Sequence, residues 1–254
     1  MKSSIKNYST KLFITCFILL VSSNTFAQLK TTTVDSFDKV IVSPHISVTF
    51  IEGDSESVEI HSSTEPLNKL NIEVVGSTLR MYLDGAKTYT DKKKSKGDEY
   101  NYKKPIYKGT VIKATVTYTN INELSLRGEE NFVCESPLNS KDFTLKIYGE
   151  SQVYFNEVNF DELKTTIYGE SFLELKDGNI GRQKITAYGE TTINTLNTKT
   201  GEIKITAYGE GSYRVAVNDR LKVTAYGEAT VAYEGSPEVN KGIIIGEATI
   251  QKIN

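Results

Sequence analysis

The sequence predicts an all-β chain wound as a single-stranded, right-handed parallel β-helix, a β-solenoid with rungs of about 20 residues. Three observations predict it: a Gly-Glu pair returning at near-constant spacing, strict apolar-polar alternation around each pair, and turn residues closing each copy. The 254 residues are 38% hydrophobic and 24% charged, enough apolar surface for a core and a normal charge content, which excludes a disordered or multi-span membrane protein. Net charge is −2, so no overall positive field draws nucleic acid.

At the start of the chain, Lys2, Lys6 and Lys11 precede an apolar run over 12–21, followed by polar residues 22–25 and the small Ala27. This is the three-part layout of a secretory signal peptide over residues 1–27. A bilayer span needs ~20 apolar residues, and this run has about ten, so no transmembrane span is expected in the mature chain. Cys16 lies inside the run without small residues just before it, which argues against a lipoprotein site. The expected address is the periplasm or the cell surface. The remaining chain, 28–254, reads as one solenoid domain with a single cysteine, Cys134, and therefore no internal disulfide. Cys134 falls at an apolar position and reads as a buried, inert thiol.

Residues 34–120 alternate without a clear repeat, in KVIVSPHISVTF, SVEIHSS, LNIEVV, STLRMYL and TVIKATVTY, with turns at Gly53-Asp54 and Gly76. They are expected to form irregular first coils that close one open end of the stack. Within them, residues 86–109 hold eight Lys, three acids and four Tyr, the composition of a mobile loop. Such a loop is either simply solvated or a contact arm for an anionic surface.

From residue 121 the repeat is regular. Gly128, Gly149, Gly169, Gly189, Gly209, Gly227 and Gly246, each followed by Glu, are separated by 21, 20, 20, 20, 18 and 19 residues. Counting back from each Gly, Leu145, Ile185, Ile205 and Val223 share one apolar position, and Ile147, Ile167, Ala187, Ala207 and Ala225 share another. Between them come a lysine column (Lys164, Lys184, Lys204, Lys222, Lys241), a threonine column and a tyrosine column. Period-two alternation means strands with one buried face. A second strand follows each Gly, its inward positions held by Phe132, Val153, Leu173, Ile193, Tyr213, Val231 and Ile250. Asp177-Gly178-Asn179, Asn197 with Gly201, and Asn218-Asp219 read as the turns that return the chain. A coil this short cannot bury its apolar side alone, so copies must stack ~4.8 Å apart.

The segments KITAYGETTINT, KITAYGEGSYRV and KVTAYGEATVAY, with the opening stretch FDKVIVSPHISVTFIEGDSESVEIHSS, resemble an exported bacterial family, the putative auto-transporter adhesin, head GIN domain family. The resemblance covers roughly Phe37 to Ile253. Members typically carry Ser-Gly-Ser-Gly-Asp turns where this chain has Tyr-Gly-Glu, which keeps the Gly and replaces its neighbours by a ring and a charge. The resemblance implies a pectin-lyase-like β-helix and an adhesin-like role, and it supplies no catalytic residues.

That departure is the most informative chemistry in the chain. With rungs in register, Tyr148, Tyr168, Tyr188, Tyr208 and Tyr226 form one column; Glu129, Glu150, Glu170, Glu190, Glu210, Glu228 and Glu247 form another. Unit charges ~4.8 Å apart repel by about 0.9 kcal/mol in bulk water and about 3.5 kcal/mol at an effective dielectric near 20. The lysine column stands ~20 Å away along an extended strand, beyond the ~8 Å screening length, and does not relieve them. Three outcomes fit. The glutamates splay into solvent at a corner; they bond ligand hydroxyls while the tyrosine faces stack on sugar rings; or pairs of them trap Ca²⁺, although no Asp-rich calcium motif is present. The tyrosines also admit plain stacking on each other. The ligand reading makes Tyr148, Tyr168, Tyr188, Tyr208 and Tyr226, with Glu150, Glu170, Glu190, Glu210 and Glu228, the face for a carbohydrate, cell-surface or protein ligand. No cofactor or metal is expected beyond the Ca²⁺ alternative, and the solenoid ends offer edges through which copies can pair.

Catalytic constellations are poorly supported. His45 and His61 are the two histidines, both in strand-like segments, and no Ser-His-acid set, zinc spacing or phosphate loop can be assembled. The alternative is a polysaccharide lyase or hydrolase on the same β-helix, needing acidic metal ligands and an Arg or Lys base. Arg127, Arg182, Arg214 and Arg220 are present, but none recurs beside a clustered Asp pair. The sequence therefore reads as a non-enzymatic, exported binding and adhesion module.

Overall fold

A computed structural model describes residues 30–94 and 103–253; the expected signal peptide, 1–27, lies outside them. Alternation along each strand becomes alternation in burial. In Val158–Tyr168, Leu163, Thr165 and Ile167 are buried while Lys164 and Tyr168 are exposed. Because every coil repeats this pattern, the inward residues meet their counterparts above and below and fill one continuous core. The result is a β-solenoid of about six turns, with parallel strands roughly 20 residues apart.

Each regular coil has three sides. The side before the corner Gly is built from Glu123–Gly128 and the ends of Leu138–Gly149, Val158–Tyr168 and Gly178–Tyr188, with Leu145, Thr165, Ile185 and Ile205 in register. The side after it stacks Asn131–Cys134, Gln152–Phe155 and Ser171–Leu175, aligning Phe132, Val153, Leu173 and Ile193. The third side replaces a predicted turn. Leu138, Val158, Gly178 and Thr198 are paired in parallel there, and Asn139, Asn159 and Asn179 form an amide ladder with hydrogen bonds of 3.2 and 3.1 Å. Asparagine and glycine mark turns in general, but here the stacked amides satisfy one another and hold the segment straight.

The corner explains the invariant Gly within the repeat. Its φ lies between +105° and +132° in all seven copies, a region that costs a residue with a Cβ dearly. The copies also stack Gly on Gly: a Cβ on Gly189 would lie 2.8 Å from the Gly169 carbonyl oxygen, and one on Gly209 would lie 2.9 Å from that of Gly189. One column departs from the simple count. A bulge between Val223 and Ala225 sets Lys241 opposite Val223, and Asn240 takes the place beside Lys222.

Antiparallel strands cover the first coils. Lys30–Thr33 pairs with Ser57–Ser63, which pairs with Ile112–Tyr118, and Leu70–Val75 folds back on Thr78–Leu83. Part of segment 86–109, read from sequence as a loop, is a short hairpin of Lys92–Lys94 on Lys103–Pro105. Its base is held by Tyr107, which is buried and donates its hydroxyl to the Asp84 carbonyl at 2.9 Å. Cys134 is buried as its position implied, and burial pushes its thiol up to about 11. No helix among the described residues is long and apolar enough to cross a membrane.

Candidate functional site: the carboxylate groove beside the tyrosine ladder

The corner Gly turns the chain between two strands, so its neighbours project outward on either side, Tyr before it and Glu after it. Register then carries each along the solenoid axis. Tyr148, Tyr168, Tyr188, Tyr208 and Tyr226 stack with centroid distances of 5.4, 4.5, 4.7 and 4.9 Å and interplanar angles of 1–5°. The rings cover each other's faces. The outer face of Tyr148 is covered too, by the Arg127 guanidinium at 5.6 Å, and Ile245 follows Tyr226 in the register. A sugar ring would have to displace a neighbour to reach a face, so the ladder offers ring edges and hydroxyls. Desolvation within the stack, helped by Tyr168 and Tyr208, raises the Tyr188 phenol above its usual value.

On the other side of the corner, Glu150, Glu170, Glu190, Glu210 and Glu228 line an open groove of about 520 Å³. Gln152, Thr192, Ser212 and Thr230, outward residues of the following strands, add neutral polar groups, and Phe172 among them adds one apolar ring. The residues after Glu150, Glu170 and Glu190 turn inward beneath the carboxylates and are buried. Ser151 and Ser171 donate their hydroxyls to the Gly128 and Gly149 carbonyls, each at 2.9 Å. Thr191 holds the equivalent place one rung on, is 3% exposed, and its Oγ1 has no partner. The tyrosines stand beside the groove and not in it.

No ion pair reaches any of these five glutamates among the described residues. Elsewhere the same solenoid handles stacked charge differently. Asp142, Glu162, Arg182 and Glu202 are in register, and Arg182 reaches Glu162 at 3.7 Å and Glu202 at 3.5 Å, with Arg220 at 4.0 Å from Glu202. That column alternates in sign through its middle. The groove column does not.

Sequence reasoning treated His45 only as a strand residue, yet equal spacing from Val42 and Val48 sets it level with Glu129, at the head of the carboxylate column. Its backbone holds φ +71°, rare for a residue with a Cβ. Nδ1 donates to the Gly109 carbonyl at 2.7 Å, and Nε2 meets the Thr90 hydroxyl at 2.6 Å, so the ring ties both ends of the 90–109 loop to the first corner. Beside it, Glu130 occupies an inward position and accepts the Glu129 amide at 2.9 Å; burial raises its carboxyl above the usual range. His61 meets Thr115 at 2.7 Å on another strand pair, so the two histidines do not form one site. Among the described residues, no three of His, Cys, Asp and Glu are placed to hold a metal ion.

Comparison with known proteins agrees with this architecture. A putative adhesin from Bacteroides fragilis superposes with a TM-score of 0.71 at 18% identity, covering 88% of this chain and 95% of its own. A putative adhesin from Parabacteroides merdae gives 0.63 at 20% identity, covering 89% and 95%. A putative lipid binding protein from Parabacteroides distasonis gives 0.65 at 18% identity, covering 89% and 96%. At such identities the likeness is one of fold. No curated protein matches the sequence. The family described as putative auto-transporter adhesin, head GIN domain, matches residues 36–237, well over half of the chain, and the protein belongs to that family.

Proposed function

We propose that this protein is an exported, non-enzymatic adhesin module that holds a linear glycan in the carboxylate groove. Family membership supports the adhesin-like part of the reading. The observation that carries the ligand is the groove itself: carboxylates and hydroxyls repeat in register along an open channel of about 520 Å³. A regular polar lattice suits a polymer whose own polar groups repeat. Carboxylates accept from sugar hydroxyls in charge-assisted bonds, roughly twice as strong as neutral ones, and Phe172 supplies one apolar surface for sugar C–H groups. Lipid binding, the activity in the name of the Parabacteroides distasonis relative, fits less well, because a rim of five carboxylates favours hydroxyls and amines over acyl chains. The tyrosine hydroxyls form the neighbouring bank, available to a ligand wide enough to reach them.

A glycan array probed with the wild-type protein and with Glu170→Gln/Glu190→Gln tests the reading. Binding to one class of linear glycan, lost in the variant, is the expected result. No binding to any glycan, or binding untouched by the two substitutions, would remove the groove as the site.

A further inference from the structure

We propose that the last described coil of the solenoid is a self-association face: a second copy of this chain docks on it end to end about a twofold axis, its own last strand antiparallel to the first. Glu238–Lys252 is 15 residues long and, among the described residues, pairs along one edge only, with Thr191–Glu234. Its other edge carries a row of backbone N–H and C=O groups with no strand beside them, a ready template for strand addition. A bulge precedes Ile244, and from there to Lys252 the register is unbroken. No Pro interrupts the strand.

The side chains of this coil depart from those of the regular coils below it. Counting back from the corner Gly, the third position is Thr166, Thr186, Thr206 and Thr224, and then Ile243; the first is Tyr168, Tyr188, Tyr208 and Tyr226, and then Ile245. Ile243 and Ile245 are 59% and 61% exposed, and with Val239 they are three of the four large aliphatic side chains exposed among the described residues. Inward, Ala225, Ala229 and Val231 are buried in the coil below, whereas Ile244, Ala248 and Ile250 pack on the core and stay partly exposed. A strand apolar on both faces is the pattern of one covered on both faces. Here the missing cover lies beyond the end of the stack.

Geometry and charge select a second copy in one orientation. The opposite end of the solenoid is closed by short reversed strands, Lys30–Thr33 and Leu70–Val75, which do not match a 15-residue edge, so head-to-tail stacking is disfavoured. A twofold axis at the last coil matches the edge to itself, sets apolar against apolar and closes at two copies. Glu238 opens the strand and Lys252 ends it, both exposed, and antiparallel pairing brings the acidic start of each strand toward the basic end of the other. A lipid surface would cover the isoleucines and leave the edge amides unpaired, which is costly.

Sedimentation velocity from about 1 to about 100 µM tests the proposal. The wild type should pass from one chain to two and no further. Ile243→Lys/Ile245→Lys sets like charges against each other across the axis and should raise the dissociation constant about tenfold or more. Val75→Lys, at the exposed aliphatic of the opposite end, should leave it unchanged. Thermal melts show whether the lysine pair is folded. A second measurement needs no variant: amide exchange over Ile244–Lys252 in the wild type should slow between the dilute and the concentrated sample, while that over Leu70–Val75 keeps its rate. A single chain at every concentration, open-ended assemblies, a dimer untouched by the lysine pair or one broken by Val75→Lys would overturn the proposal. None of these outcomes depends on what fills the groove.

Discussion

Replacing Glu190 by Gln should stabilise the protein, against the usual expectation for a point substitution. Glu190 lies between Glu170 and Glu210 in the groove column. Each neighbour is ~4.8 Å away, a repulsion of about 0.9 kcal/mol in bulk water. All three side chains are exposed, so the bulk value is the appropriate one. At physiological salt, with a screening length of ~8 Å, it falls to roughly half, and relief from two neighbours comes to about 1 kcal/mol. For a domain of this size that is a rise in Tm of about 2–4 °C. Melting by far-ultraviolet circular dichroism at low, physiological and ~1 M salt reads it: the gap should be widest at low salt and nearly close at ~1 M, where screening acts within ~3 Å. Arg182→Gln should move the other way by about 0.2–1 kcal/mol, because it removes the cation shared by Glu162 and Glu202 on an exposed face. A Glu190→Gln protein that melts at or below wild type in low salt would refute the reasoning, since the column would then carry no unrelieved charge.

Gly189→Ala should cost about 2–4 kcal/mol, since φ +105° and an oxygen at 2.8 Å oppose the Cβ together; urea unfolding measures it, and a neutral substitution would mean the corner is not held by its stack. Tyr188→Ala should lower stability by about 1–3 kcal/mol through two lost ring pairs, while glycan affinity in calorimetry changes little. A large loss of affinity with stability intact would instead make the ladder the recognition surface. Glu130 gives a pH dependence with a defined sign. Its carboxyl holds its proton more firmly in the fold than in the unfolded chain, so it lowers stability progressively as pH rises from its ordinary value of 4.5 through the raised folded value. Denaturant unfolding between about pH 4 and 7, roughly the window for a raised carboxylate, should show a shallower decline in Glu130→Gln than in wild type; identical slopes would show that Glu130 is not the group responsible.

Much of the fold was legible because each residue of a solenoid declares its side locally. The alternation of Leu163, Lys164, Thr165, Thr166 and Ile167 needs no distant partner to be read as in, out, in, out, in, and the return of Gly every 18–21 residues fixes the stacking. The third side was not legible. Asn139, Asn159 and Asn179 carry the composition of turns, and the backbone pairing and mutual amide bonds they make across rungs hold them in a strand. The bulge that displaces Lys241 is likewise invisible to a count from Gly246. At the candidate site, the tyrosine and glutamate columns could be drawn by counting, but whether the ring faces were open depended on orientation, and centroid distances of 4.5–4.9 Å show that most are covered. The alternating Glu162, Arg182, Glu202 column obeys the same count and was overlooked because it lies ahead of the aligned strand. His45 was out of reach altogether, since its ring partners, Thr90 and Gly109, lie 45 and 64 residues away.

The account turns on where the ligand sits. Carboxyl-carbon NMR on protein labelled at glutamate, followed during addition of the linear glycan oligomer that binds on the array, observes that directly. The signals of Glu150, Glu170, Glu190, Glu210 and Glu228 should move together while those of Glu162 and Glu202 stay in place. Shifts confined to Glu162 and Glu202, or a bound oligomer that leaves every groove carboxylate unchanged, would contradict it.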